Sequence, residues 1–100
     1  MRLTAHGIEA IASAPGQIDL LAVTEDGHLH YRHFDNGVWN EWEDLGGHLV
    51  YPPKAVSHTS GSLAVFGMGP GGNLVSIIRN RKTGKFGGWV SQGHGFVGNV

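Results

Sequence analysis

The chain has 100 residues, a formal net charge of −1 with histidine neutral, and no cysteine. Only 15% of residues are charged and no basic stripe is visible, which argues against a nucleic-acid partner, while the lack of cysteine rules out a disulfide framework and a thiolate metal site. No apolar run approaches the ~18 residues of a membrane span, and 17 glycines with three tryptophans point to many tight turns between short strands.

In chain order, the first half predicts strands over residues 8–13, 18–23, 28–34 and 38–43. Pro15-Gly16, Asp26-Gly27 and Asn36-Gly37 separate them. The last two are hairpin dipeptides, because glycine takes the positive φ such turns need. The second strand is apolar on both faces, with Ile18, Leu20 and Ala22 on one and Leu21 and Val23 on the other, so it should be covered from both sides. The third carries His28, His30, Arg32 and His33 and should lie nearer solvent. The second half predicts strands over 54–58, 63–68, 73–79 and 86–91, separated by Ser60-Gly61, Gly71-Gly72 and Thr83-Gly84. Gly69-Pro70-Gly71-Gly72 precedes a strand rather than a helix, so it reads as a hairpin and not a phosphate loop. No helical period appears anywhere, and an all-β fold is expected.

The two halves are copies of one unit. Trp42 and Trp89 are 47 residues apart, each three residues after another aromatic, Trp39 or Phe86. Upstream the offset is 45: Ala10 falls on Ala55, Gly16 on Gly61, Ile18 on Leu63, Gly27 on Gly72 and Leu29 on Leu74. The second copy therefore carries two extra residues around 80–83, a lengthened turn. Residues 1–7 fall on the link between units, as do residues 93–100. The units are 1–50 and 51–100.

A four-stranded antiparallel unit of this length is a β-propeller blade. Two blades bury one interface and leave two outer faces bare, whereas about three repeats are expected for stability. Either copies assemble head to tail until a ring closes, or the chain is a piece of a longer propeller. Three chains would give six blades and four would give eight; the homotrimer is the favoured assembly and the tetramer its alternative.

Trp39-x-x-Trp42-x-x-Leu45-Gly46-Gly47, Pro53-x-Ala55-Val56, Leu63-x-Val65-Phe66 and Gly72-x-Leu74 together resemble the repeat of the Photorhabdus-type β-propeller lectins. The first unit matches again at Ile18-Asp19-Leu20-Leu21 and Asp26-Gly27-His28-Leu29. The resemblance implies carbohydrate binding between neighbouring blades, with fucose or related sugars as the leading ligands. This chain departs from the pattern at Phe86, Gln92, His94 and Pro70-Gly71. That family also closes seven blades from one chain, where this one has two units.

A sugar site needs an aromatic face for the C–H side of a pyranose and fixed polar groups for its hydroxyls. Rings at Trp39, Trp42, Trp89, Phe86 and Tyr31, with donors at His30, Arg32 and Arg79, form the expected set. The competing reading is packing: Trp42 and Trp89 recur at equivalent places, as blade-to-blade residues do. Trp39, whose counterpart is Phe86, is the better ligand candidate. His28-x-His30-x-x-His33 does not make a metal site, since on a strand His33 points away from the other two and no carboxylate or cysteine spacing completes the set. The serines lack a nucleophile-elbow context, and no acid pair repeats. The expected protein is a non-catalytic lectin without a cofactor that binds glycans, fucosylated or methylated ones first. The alternative is a protein-interaction scaffold, or a propeller fragment with no sugar site, whose aromatics only hold blades together.

Overall fold

A computed structural model describes residues 3–97, with side chains from Gly7 onward. Met1, Arg2 and residues 98–100, which the repeat frame assigns to the link between units, lie outside the described residues. The chain is all-β. A first sheet comprises β1 (Leu3–Ala14), β2 (Gln17–Thr24), β3 (Leu29–Asp35), β4 (Val38–Trp39) and β5 (Glu43–Gly46). The second comprises β6 (Lys54–Val56), β7 (Leu63–Gly69), β8 (Asn73–Arg79) and β9 (Val90–Gly93). Both are antiparallel meanders, with β4 and β5 lying on β3 in turn. Gly69 to Gly72 does form a tight connection, a single 3-10 turn between β7 and β8. Among the described residues no helix is long and apolar enough to cross a membrane.

The strand register repeats at the offsets read from the sequence. Ala10 opposes Leu20 as Ala55 opposes Val65, and Ile18 opposes Phe34 as Leu63 opposes Arg79. Tyr31 opposes Glu43 as Ser76 opposes Val90. Both sheets also slip register at the same place, between Leu29 and His30 and between Leu74 and Val75. The two extra residues of the second unit sit in the turn from Asn80 to Lys85, closed by backbone bonds from Asn80 N–H to Lys85 O and from Gly84 N–H to Asn80 O. Its shorter counterpart is the Asn36-Gly37 turn, where both residues take positive φ (49° and 95°).

One expectation needs correction and two need refining. The fourth strand is not continuous over 38–43 or 86–91: in the first unit it breaks between Trp39 and Glu43, and in the second Phe86 makes an isolated bridge to Arg79 before β9 begins at Val90. The second strand is covered on both faces but unevenly: Asp19, Leu21 and Val23 are buried on one, while on the other Ala22 is buried, Leu20 is half-buried and Ile18 is 38% exposed. The third strand is likewise two-sided: Leu29 and Tyr31 are buried on the covered face with His33 half-buried at its edge, and His30 and Arg32 are half-buried on the other.

These asymmetries arise because the sheets stack face to face. Alternation along a strand gives each sheet two faces. The first sheet presents Leu21, Val23, Leu29 and Tyr31, the second presents Leu63, Val65 and Ile77, and Leu49 from the connecting link seals one end of this core. Leu49 has room because Gly67 has no side chain; a Cβ there would lie 2.5 Å from a Leu49 methyl. Leu49 N–H bonds to Gly27 O and Val50 N–H to Met68 O, so the link is tied to both sheets.

At the other end of the seam the core turns polar. Asp19 of β2 is fully buried and accepts two bonds from Arg79 of β8, Nη1 to Oδ1 at 2.6 Å and Nη2 to Oδ2 at 3.3 Å. Arg79 also donates to Tyr31 Oη, Ser13 Oγ and Gly61 O, and the Tyr31 hydroxyl donates to Asp19 at 2.9 Å. Burial pushes the Asp19 carboxyl up, but hydrogen bonds from Arg79, Ser13 and His33 together outweigh it and hold the group below its ordinary value. Burial and the Asp19 carboxylate both push the Tyr31 hydroxyl up, keeping it protonated. In the repeat frame the two charged residues correspond to Ala64 and Phe34. The ion pair therefore belongs to this one contact and not to the unit.

Asp19→Asn is expected to cost about 3–5 kcal/mol, because it leaves a buried guanidinium without its counter-charge. Asp19→Ala combined with Arg79→Phe, which installs the residues of the equivalent positions, should recover most of that loss; urea unfolding measures both. The Asp19 carboxyl is more acidic folded than unfolded, so its contribution is full above the unfolded value of ~3.9 and is lost as pH falls through the folded one. The urea midpoint of the native chain should accordingly fall more steeply below about pH 4 than that of the double variant.

Candidate functional site

The eight residues expected at a sugar site divide into two groups of four. Tyr31, Arg79, Phe86 and Trp89 lie in the seam between the sheets. Tyr31 and Arg79 are buried in the network around Asp19. Phe86 stands edge-on to Tyr31 with centroids 4.9 Å apart. Trp89 is half-buried, and its indole N–H donates to Leu45 O at 2.9 Å across the seam. Gly47 makes that seat possible: it has φ +78°, and a Cβ on it would come within 2.8 Å of the indole. All four are held by packing within the chain.

His30, Arg32, Trp39 and Trp42 lie on the opposite, uncovered side of the first sheet. His30 and Arg32 are neighbours on one face of β3, with the same alternation as Phe34. The Arg32 guanidinium carbon sits 5.2 Å from the Trp39 ring centroid and 5.5 Å from that of Trp42, so one cation bridges two indoles. Its Nε donates to Asn40 O at 3.0 Å, which fixes the side chain. Phe34 supports Trp39 from the other side at 5.0 Å. Trp39 remains 40% exposed. His30 is anchored at Nε2, 3.3 Å from Thr24 Oγ1.

The repeat explains both clusters as versions of one arrangement. Trp39, Arg32 and Trp42 correspond to Phe86, Ile77 and Trp89. In the second unit an aliphatic residue belongs to the buried core against which both rings pack. In the first unit a cation lies by two indoles, Trp39 standing where the second unit has the smaller Phe86, and the group is open. Trp39 and Trp42 give apolar faces and the guanidinium gives several donors in a fixed plane. That combination can stack one face of a small polar ring while hydrogen-bonding its edge.

A second polar place adjoins it. A cleft of about 490 Å³ opens where the seam reaches the surface, with Gln17, His33, Asn40, Glu43 and Arg81 around it and Tyr31 and Arg79 at its floor. His33 Nδ1 lies 2.6 Å from Asp19 Oδ1, and the backbone N–H of His33 bonds to Asn40 Oδ1. Asn40 thus joins the cleft to the Trp39–Arg32 cluster. Sequence reasoning did not single out Asn40, Gln17 or Arg81 as ligand groups, and weighed His33 only as a metal ligand. The one available signal was the contrast of Asn40 with Gly87 at the equivalent position. Among the described residues no group of three or more histidine and carboxylate side chains is placed to hold a metal ion.

Compared with models of known families and with curated proteins, the chain matches none.

Trp89→Ala is expected to destabilise the fold by on the order of 2 kcal/mol, less than the ~3–5 of a fully buried aromatic, because the indole is half-exposed. Trp39→Ala should change stability by less than about 1 kcal/mol, as for an exposed position. Thermal unfolding of the two variants side by side separates the packing cluster from the open one.

Proposed function

We propose that the chain is a non-catalytic lectin whose sugar contacts are Trp39, Arg32 and Trp42. It would act as a two-blade protomer of a propeller closed by identical copies, three chains giving six blades. The observation that carries this reading is the Arg32 guanidinium held over two indoles on an uncovered sheet face, where the second unit has Ile77 in the buried core against which Phe86 and Trp89 pack. A purely structural repeat has no need of a charged residue at that position. The fixed guanidinium supplies hydrogen bonds to hydroxyls, and the two indoles supply the stacking surface. The resemblance of the Trp and Gly-Gly spacing to β-propeller lectins favours fucosylated or methylated glycans among the candidate ligands. Several copies of such a site on one assembly would raise a weak single-site affinity through multivalency.

The alternative is a protein-interaction scaffold. It is favoured by the same exposed Trp39 and Arg32, which are also the residue types enriched at protein interfaces. A broad glycan array probed with folded protein discriminates the two. A lectin gives selective signal, and Arg32→Ala weakens it roughly tenfold to a hundredfold, the worth of about 1.5–3 kcal/mol for hydrogen bonds to a charged group. A silent array from folded, assembled protein transfers the assignment to the scaffold.

A further inference from the structure

Basic residues are scarce in this chain and unevenly placed. Of seven lysines and arginines, four fall within residues 79–85: Arg79, Arg81, Lys82 and Lys85. Arg79 is neutralised by Asp19. The other three stand on the turn that follows β8, which is the turn longer by two residues than its counterpart at Asp35-Asn36-Gly37. That counterpart carries a carboxylate and no cation. The longer turn therefore differs in charge as well as in size.

The turn is fixed by its own bonds. Asn80 Oδ1 accepts from the backbone N–H groups of Lys82 and Thr83 at 2.8 and 3.2 Å, and Thr83 Oγ1 accepts from Lys85 N–H at 3.2 Å. Side-chain bonds of this kind hold the backbone of a turn in one form, so Arg81 and Lys82 project from a set base. The connection between β6 and β7 is tied in the same way. Ser62 Oγ donates to Thr59 O and accepts from Thr59 N–H, and Gly61 N–H bonds to Ser13 O. Between the two connections opens a cleft of about 730 Å³, within the range of small-molecule sites. His58 and Ser60 line it from one connection, Arg81 and Lys82 from the other, and Ala64 and Ile78 from the sheet.

No carboxylate lines this cleft. In the repeat frame Ala64 takes the place of Asp19 and Ile78 that of His33, so the polar groups of the first unit are replaced here by apolar ones. Among the described residues the side chains of Ser60, Arg81 and Lys82 have no hydrogen-bond or ion-pair partner. Glu43, which lines the neighbouring seam cleft together with Arg81, forms no ion pair with it. Two unpaired cations and an unpaired hydroxyl thus surround one cavity with an apolar wall.

We propose that this cleft binds a phosphate monoester of a small organic molecule, with the phosphoryl group held by Arg81, Lys82 and Ser60 and the carrier lying on Ala64 and Ile78. The guanidinium fork supplies two parallel donors to two oxygens, the ammonium a point charge, and the hydroxyl a donor to the third oxygen. A phosphate monoester carries about −1.5 to −2 charge at pH 7, which two cations balance. A sulfate ester or a carboxylate carries a single charge and leaves one cation over. Ile78 is 60% exposed and offers its surface to the carrier, a contact that free phosphate cannot make. The site is complete within one chain and shares no residue with Trp39, Arg32 and Trp42, so it rests neither on the carbohydrate reading nor on assembly.

Titration of the full chain with phenyl phosphate, followed by backbone amide chemical shifts, tests the site. Saturable shifts are expected over residues 58–64 and 78–85. Arg81→Ala and Lys82→Ala, both at exposed positions, should each weaken binding by about tenfold or more, the worth of a hydrogen bond to a charged group. Lys54→Ala, which removes an exposed cation from the same sheet, should leave it unchanged. Phenyl sulfate and inorganic phosphate should each bind several-fold more weakly, the first for want of charge and the second for want of an apolar body. A native chain without saturable shifts overturns the site, as does undiminished binding by Arg81→Ala and Lys82→Ala. An equal loss in Lys54→Ala marks general charge attraction and overturns it as well. Phenyl sulfate binding as tightly as phenyl phosphate overturns the phosphate assignment, and inorganic phosphate doing so overturns the organic carrier.

Discussion

The bond between Asp19 and Arg79 decides how the two sheets meet. A fully buried carboxylate is tolerable only with partners, and laying the Tyr31 face of the first sheet on the Arg79 face of the second supplies a cationic one. Tyr31, Ser13 and Gly61 complete the coordination of the guanidinium, so the polar end of the seam is satisfied group by group. Leu21, Leu29, Val65 and Ile77 supply the apolar area, yet area alone does not choose between faces. The ion pair makes the choice specific: the equivalent residues Ala64 and Phe34 could not replace it in a shifted stacking without stranding a charge.

Around that fixed contact, duplication has left two copies of an aromatic cluster with different duties. Phe86, Ile77 and Trp89 fill space under the first sheet, and the indole N–H closes the seam on Leu45. Trp39, Arg32 and Trp42 keep the same backbone positions but carry a cation and stay open. The register on both sides is the same down to the slip after Leu29 and after Leu74. The difference in chemistry is therefore a difference of side chains on one scaffold.

Much of the architecture was legible because turns and repeats are local signals. Glycines paired with Pro, Asp or Asn placed most strand ends, and the spacing of Trp42 and Trp89 set the frame that the pairing register reproduces. The broken fourth strand was not legible: nothing in Asn40-Glu41-Trp42 forbids an extended strand, and the break is produced by where β5 must pair on β3. The Asp19–Arg79 bond was invisible for a different reason. Its partners are 60 residues apart, and each looks like an isolated departure from the repeat until the stacking of faces is known. The candidate site was legible in residue type only. Trp42 and Trp89 are the same letter at equivalent positions, and what separates them is whether another sheet lies on top.

The meander order of the strands also sets where the loop-closure cost of folding falls. Every strand pairs with one adjacent or nearly adjacent in sequence, so each sheet closes only short loops as it forms. The seam instead joins residues half the chain apart and depends on both sheets having their faces in register. The two sheets therefore differ from the seam in loop-closure cost, and the link between β5 and β6 is the only covalent connection across it. The strap from Leu49 and Val50 to both sheets offsets part of that cost, because it holds the two faces at high local concentration for the bond between Arg79 and Asp19.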